Sequence, residues 1–201
     1  MKAILLYSGG KDSTLVAHLL KMLGYDFKCV TANFGVVPDC VNVAGDVAKT
    51  LGFEHEIMQM PREILEKGVE MCITEGYGRP GINYIHHEVL EAACKKYGAE
   101  FPVIADGGRR DDKTPKIKYP EIQSLEARHK IQYFCPLNGF SYATIKYLTD
   151  KLFEIKSIRA GEIPTSEYET EIREILRIRK EDPSKIFPAH HTHTIVRGYK
   201  K

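Results

Sequence analysis

The sequence predicts an α/β fold, a doubly wound, mainly parallel five-stranded sheet with helices on both faces. Three observations lead there. Short uninterrupted apolar runs, AILLY (3–7) and FPVIAD (101–106), have the character of strands buried on both sides. Between such runs lie segments with apolar residues at helical spacing, several closed by a glycine. The two patterns alternate along the chain, which implies right-handed crossovers and parallel strands.

AILLY is the first strand, and Asp12 or Ser13 supplies helix-starting chemistry directly behind it. Leu15, Leu19, Leu20 and Leu23 then recur at helical spacing, with Gly24 as the stop. FKCVTA (27–32) reads as the second strand, and Ala44, Val47, Ala48 and Leu51 before Gly52 as the second helix. HEIMQM (55–60) is the third strand. Helices follow near 62–75 and over about 84–97, the latter carrying Ile85, Val89, Ala92 and Ala93 and closed by Gly98. Beyond FPVIAD the run GGRRDDKTPKIKYP (107–120) is glycine-rich, charged and punctuated by proline. It reads as an exposed loop past a strand's carboxyl end, the edge at which open α/β sheets bind ligands. A short helix near 121–129, a strand IQYFC (131–135) and helices over about 141–156 and 167–180 complete the expected order. The tail FPAHHTHTIVRGYKK (187–201) has no clear period. The expectation is one domain over 1–201, with 160–201 a helical and irregular extension.

A chain of 201 residues suits one domain of ordinary size. Its 29 Lys and Arg against 27 Asp and Glu leave a net charge of +2, which gives no general pull toward nucleic acid or membrane, so RNA would need a local patch. No apolar run approaches the roughly 20 residues that span a bilayer, and MKAILLYSGG breaks off too soon for a signal peptide, so a cytoplasmic protein without membrane contact is expected. Cys29, Cys40, Cys72, Cys94 and Cys135 form an odd set with no CxxC pair. They are expected as reduced thiols, which argues against a disulfide framework, a zinc ribbon and the usual iron–sulfur site.

YSGGKDST (7–14) carries the chemistry. A Walker A loop needs Ser or Thr after its lysine and a glycine five residues before its second glycine; here Asp12 follows Lys11 and Leu5 stands five before Gly10. What remains is a turn from strand to helix, with backbone N–H groups and the positive end of the helix dipole aimed at an anion. Gly9 and Gly10 permit close approach, Ser8 and Ser13 offer hydroxyls, Lys11 adds charge, and Asp12 is a candidate magnesium ligand. The bland alternative is a glycine turn that only joins a strand to a helix.

S-G-G-x-D-S after a first strand resembles the fingerprint of the PP-loop, or N-type, ATP pyrophosphatases of the adenine nucleotide alpha hydrolase superfamily, with all six positions matched. The resemblance implies that fold, a loop holding the pyrophosphate part of ATP with Tyr7 at its start, magnesium, and cleavage between the α and β phosphates. AMP and pyrophosphate would be the products, by way of an adenylylated substrate. Residues 88–112 resemble the family's helix, strand and second loop. Aligned on Asp111 and Asp112, the motif glycine falls on Gly107 and the motif histidine on Gly108, so no histidine role carries over. The resemblance places Asp106 and Gly107 at the nucleotide, gives Arg109 and Arg110 forked donors for phosphate, and lets Asp111 assist with metal or substrate. A solvated charged turn is the alternative for these. TANFG (31–35) corresponds to the segment that holds adenine and ribose, which points to Ala32 and Asn33. The implied catalytic set is Lys11, Asp12, Arg109 and Asp111.

GRPGINYIHHEVLEAACKKYGAEFPVIADGG (78–108) also resembles the matching region of tRNA 2-thiouridine synthases. Their catalytic cysteine precedes the asparagine that is Asn83 here; Ile82 stands in its place, so persulfide chemistry does not carry over. The resemblance, over roughly 1–150, is to archaeal PP-loop proteins predicted to act in tRNA modification. It implies ATP or AMP as cofactor and tRNA or a tRNA-modifying protein as partner; a homodimer is expected because homodimers are the commonest oligomers. The alternatives are a regulator or complex subunit that holds AMP or ATP without turnover, and an enzyme activating a small carboxylate. Cys135 is a nucleophile, a sulfur carrier or a small hydrophobe, whereas Cys72 and Cys94 sit in helical patterns. His190, His191 and His193 can gather a metal, touch substrate or decorate the surface, and His86 and His87 open a helix. Lys116, Lys118, Lys146, Lys151, Lys156 and Arg159, set among aromatics, suit either RNA or water.

Overall fold

A computed structural model describes residues 1–159, 161–188 and 192–200. Five strands, β1 (Lys2–Leu6), β2 (Asp26–Asn33), β3 (Glu54–Gln59), β4 (Val103–Ala105) and β5 (Gln132–Phe134), pair in parallel in the order β3-β2-β1-β4-β5. This is the expected doubly wound sheet. The central strand shows why its sequence is apolar throughout. Ile4 and Leu6 enter one hydrophobic cluster, while Ala3, Leu5 and Tyr7 enter the other, on the opposite face.

The first cluster is closed by α3 (Arg62–Glu75), α4 (Arg79–Tyr97), α5 (Tyr119–His129) and α7 (Tyr168–Ile178) through residues such as Leu65, Ile85, Leu125 and Ile172. The second is closed by α1 (Lys11–Met22), α2 (Asn42–Leu51) and α6 (Tyr142–Leu152) through Leu15, Leu20, Val47 and Ile145. Each fully buried Leu or Ile here contributes about 1.5–3 kcal/mol relative to exposure. No helix among the described residues is long and apolar enough to cross a membrane.

Two expectations are corrected at the C-terminal end. The helix expected over 141–156 stops at Leu152, and Phe153–Arg159 is instead a strand, β6. The tail that showed no period forms β7 (Thr192–Tyr199), antiparallel to β6 in a separate two-stranded sheet. A register shift between Glu154 and Ile155 explains the misreading, because a bulge breaks the inside–outside alternation by which a strand is recognised. Phe153, Ile158, Ile195 and Val196 of this strand pair complete the second cluster. A smaller correction concerns α4, which begins at Arg79, with Pro80 in its first turn, rather than near residue 84.

The strand order reverses at β1: the chain runs outward through β2 and β3, then returns to place β4 on the other flank. At such a switch point the loops leave the two carboxyl ends in opposite directions and open a crevice. Tyr7 to Ser13 and Asp106 to Asp112 form its two banks.

Candidate functional site

On the β1 bank, the turn is made by Gly9 at φ +72°, a conformation that side chains rarely adopt, and a Cβ there would lie 3.1 Å from the Ala44 backbone. Gly10 caps α1 in an extended conformation without a side-chain cap. The helix therefore delivers its first amides, which it cannot satisfy itself, to the crevice. The hydrogen bonds around them are long. Ser8 N and Gly10 N donate to the Ser13 and Ser8 hydroxyls, the Ser13 hydroxyl reaches Gly10 O, and Lys11 N donates to Thr194 Oγ1, each at 3.3 Å. Lys11 Nζ donates to Asp12 Oδ2 at 2.7 Å, and Arg109 approaches the same oxygen at 3.5 Å. Asp12 Oδ1 is buried and has no hydrogen-bond partner among the described residues. Such an orphaned carboxylate oxygen suits a hard cation. The described residues contain no group of three or more His, Cys, Asp or Glu side chains able to hold a metal by themselves. Magnesium is commonly held by one or two carboxylates together with phosphate oxygens and water.

The β4 bank is tight. Asp106 is buried, and its carboxylate accepts from His86 Nε2 at 3.0 Å, Tyr133 Oη at 2.6 Å and Gly108 N at 2.9 Å. Burial works against its charge, yet His86, Tyr133 and the Gly108 amide hold its pKa below the usual aspartate value. His86 Nδ1 faces Tyr168 Oη at 3.2 Å. Gly107 passes directly over the start of α1, where a Cβ would lie 2.9 Å from Ser13 N. Arg109 is then locked by Asp112, with Nη2 to Oδ1 at 2.7 Å and the Arg109 amide to Oδ2 at 2.8 Å. Asp111 is more exposed and lies 3.7 Å from Arg109 Nε. The guanidinium also lies 5.7 Å from the ring centre of the exposed Tyr142.

Two of the residues assigned to nucleotide contact have committed side chains. Tyr7 Oη pairs with Thr14 Oγ1 in the second cluster, leaving only the Tyr7 backbone near the crevice. Asn33 is buried, accepts from Gly35 N at 3.1 Å and reaches Cys40 Sγ at 3.6 Å. Ala32 precedes it at the carboxyl end of β2. The loop that follows is sealed from inside the protein. Glu171 of α7 accepts from the amides of Phe34, Val36 and Val37 at 3.0–3.4 Å. Burial pushes its carboxyl up, and these amides offset part of that shift. The preceding segment is pinned as well, since Ser166 accepts from Ala44 N and donates to Cys40 O.

β7 closes the remaining side. Besides Thr194 on Lys11 N, Val196 N donates to Gly9 O at 3.2 Å. His193 Nδ1 lies 2.7 Å from Glu167 Oε2, while Glu167 Oε1 would be 3.8 Å from a Cβ on Gly10. Of the histidine group in the tail, His193 is thus buried beside the turn, whereas His190 and His191 lie outside the described residues. Cys135 follows β5 and donates to Gly108 O; burial and the nearby Asp106 carboxylate push its thiol up, so it is held protonated. Burial pushes Cys72 up to about 11 and Cys94 to about 12. Lys146 pairs with Asp150, and Lys151 lies over the exposed Tyr147. His87 is half-exposed.

Sequence reasoning missed His86 as a partner of Asp106, and also Tyr133, Glu167, Glu171 and Thr194. For two of these a signal was present. His86 lies on the apolar stripe Ile82, Ile85, Val89, Ala93, and Glu171 on the stripe Tyr168, Ile172, Ile175. A polar residue on a buried stripe needs a partner.

The chain as a whole is similar to several known proteins. A protein of Methanocaldococcus jannaschii described as uncharacterized is 46% identical over 201 residues, covering 100% of this chain and 98% of the relative. A crystal structure from the same organism, described as a predicted subunit of tRNA methyltransferase, superposes with a TM-score of 0.92 at 46% identity, covering 100% of this chain and 98% of that one. The 7-cyano-7-deazaguanine synthase of that organism is 38% identical over 77 residues, 37% of this chain and 33% of the relative. A family model described as "Family of unknown function (DUF7411)" matches residues 1–198. The chain belongs to that family, and its S-G-G-x-D-S turn and doubly wound sheet resemble those of PP-loop proteins of the adenine nucleotide alpha hydrolase type.

Proposed function

We propose that this protein binds ATP with magnesium in the β1–β4 crevice and cleaves it between the α and β phosphates, adenylylating an oxygen on a tRNA base during tRNA modification. One observation carries the reading: a helix start, Lys11 and an Asp12 oxygen without a partner converge at the switch point of the sheet. The tRNA component is supported by the description of the homologous crystal structure as a predicted tRNA methyltransferase subunit. In this reading tRNA or a tRNA-modifying protein is the partner, and a cytoplasmic homodimer is the working unit.

The residues divide the work. Amides from Gly9 to Ser13 and the hydroxyls of Ser8 and Ser13 bind the phosphate chain, exchanging long internal hydrogen bonds for shorter charge-assisted ones. Lys11 and Arg109 stabilise the charge that develops as pyrophosphate leaves. Asp12 holds magnesium together with phosphate oxygens, and the ion, when bound, neutralises those oxygens. Asp106 and Gly107 fix the second loop against α1, Asp111 orients substrate or metal, and Tyr7, Ala32 and Asn33 border the nucleoside end through their backbone.

Lys11→Ala and Asp12→Asn are each expected to lower pyrophosphate release by roughly 100-fold or more while the urea midpoint stays near wild type. Retained turnover in both variants contradicts the assigned roles. A second reading, a subunit that holds AMP or ATP without turnover, is favoured by the way Ser8 and Thr194 already cap the Gly10 and Lys11 amides. Tight nucleotide binding with no pyrophosphate release, with or without bulk tRNA, would select it.

A further inference from the structure

A net charge of +2 gives the chain no general pull toward RNA, so a local patch has to supply it. One is present on the β4 bank. From Gly108 to Pro120 five Arg and Lys stand against two Asp. Arg109 occupies both carboxylates, Asp112 at 2.7 Å and Asp111 at 3.7 Å. Arg110, Lys113, Lys116 and Lys118 are exposed and form no ion pair among the described residues. On α6, by contrast, Lys146 is matched by Asp150.

The basic stretch has a defined shape. Asn83 Oδ1 accepts from Thr114 Oγ1 at 2.8 Å and from Lys116 N at 2.9 Å, and Lys116 Nζ donates to Arg110 O at 2.9 Å. A loop held in place with four cations and no carboxylate for them repels itself, and an arriving polyanion relieves that repulsion. Two exposed tyrosines bracket the loop. Tyr142, 55% exposed, opens α6 beside the Arg109 guanidinium, and Tyr119, 71% exposed, follows Lys118 at the start of α5. Cations for phosphates and aromatic faces for bases are the two elements with which proteins grip single-stranded nucleic acid. An acidic protein segment would match the cations but give the tyrosine faces no base to stack on. Arg109 also lies 3.5 Å from Asp12, so a base stacked on Tyr142 stands beside the β1–β4 crevice.

We propose that the segment 109–119 together with Tyr142 is a docking surface for unpaired bases and phosphates of an RNA strand, which it presents to the crevice. The choice of RNA rests on the tRNA reading above, but the surface has its own test. Fluorescence anisotropy follows labelled bulk tRNA binding to wild type, Lys113→Ala/Lys118→Ala, Tyr142→Ala, Tyr142→Phe and a charge-matched control, Lys49→Ala/Lys95→Ala, whose exposed lysines lie on α2 and α4; circular dichroism verifies folding. The lysine pair is expected to weaken binding roughly tenfold at low salt and to make the slope of log affinity against log salt shallower by about 1.4. Tyr142→Ala should weaken it roughly tenfold at unchanged slope, with Tyr142→Phe and the control within about twofold of wild type. ATP affinity, read by calorimetry, should stay within about twofold throughout. Wild-type tRNA affinity in every variant, or an equal loss in the control, overturns the surface and leaves the tRNA reading standing. A loss confined to the lysine pair, with polyglutamate competing as well as oligouridylate, overturns RNA in favour of an acidic protein partner. Wild type that binds ATP but no tRNA overturns both the surface and the tRNA reading.

Discussion

The two banks of the crevice are built to different specifications. At β1 the turn is held by hydrogen bonds of 3.3 Å, long for N–H···O contacts and very long for O–H···O contacts, and Asp12 Oδ1 has no partner. At β4 every oxygen of Asp106 is engaged at 2.6–3.0 Å by groups from α4, β5 and its own loop. Weak bonds cost little to exchange, and strong buried ones cost much to break. The contrast teaches a division of labour. One bank is left able to re-bond to an arriving anion, and the other is a rigid reference that holds Gly107 and Arg109 in place.

The largest expected effect comes from loosening the rigid bank. Asp106→Asn leaves His86 and Tyr133 facing a poorer, neutral acceptor and is expected to cost about 2–4 kcal/mol in urea unfolding at pH 7. The sign with pH follows from the lowered pKa in the fold. The carboxylate's contribution is present above the unfolded value of about 4 and is lost as pH falls through the lower folded value, so wild type and variant should converge in acid. A gap that persists unchanged at the lowest pH would show that the network is not held by charge.

A smaller effect is expected where the banks touch. Gly107→Ala sets a methyl 2.9 Å from Ser13 N and is expected to cost about 1–3 kcal/mol by forcing the β4 loop off α1, with ATP affinity falling in step. Unchanged thermal stability and affinity would mean that the two banks move independently. The smallest stability change belongs to the pliable bank. Ser13→Ala removes only 3.3 Å contacts and should cost less than about 1 kcal/mol, while nucleotide affinity drops severalfold. A large loss of stability without loss of affinity would reverse the roles of the banks.

Much of this contrast can be read from the chain, because β1 and β4, which carry the two banks, are apolar runs and the glycine turn is a contiguous motif. Both depend on residues close together in sequence. The β6–β7 strand pair, with α7 between its two strands in the chain, cannot be read that way. Its bulge breaks the period of two, and Leu152, Ile155 and Ile158 happen to repeat at a helical interval. Thr194 on Lys11 spans 183 residues and His86 on Asp106 spans 20, separations that no local pattern encodes. The motif makes Asp12 a candidate cation ligand, but its orphaned oxygen appears only once Lys11 and Arg109 have both taken the other one.

The most direct test of the central claim is a 15N-labelled amide spectrum recorded while ATP and magnesium are added. The account predicts the largest shifts at the Gly9 to Ser13 amides, with the Asp106 to Gly108 amides nearly still. Saturating nucleotide that leaves Gly9 to Ser13 unmoved, or that shifts only amides far from the β1–β4 crevice, would contradict it.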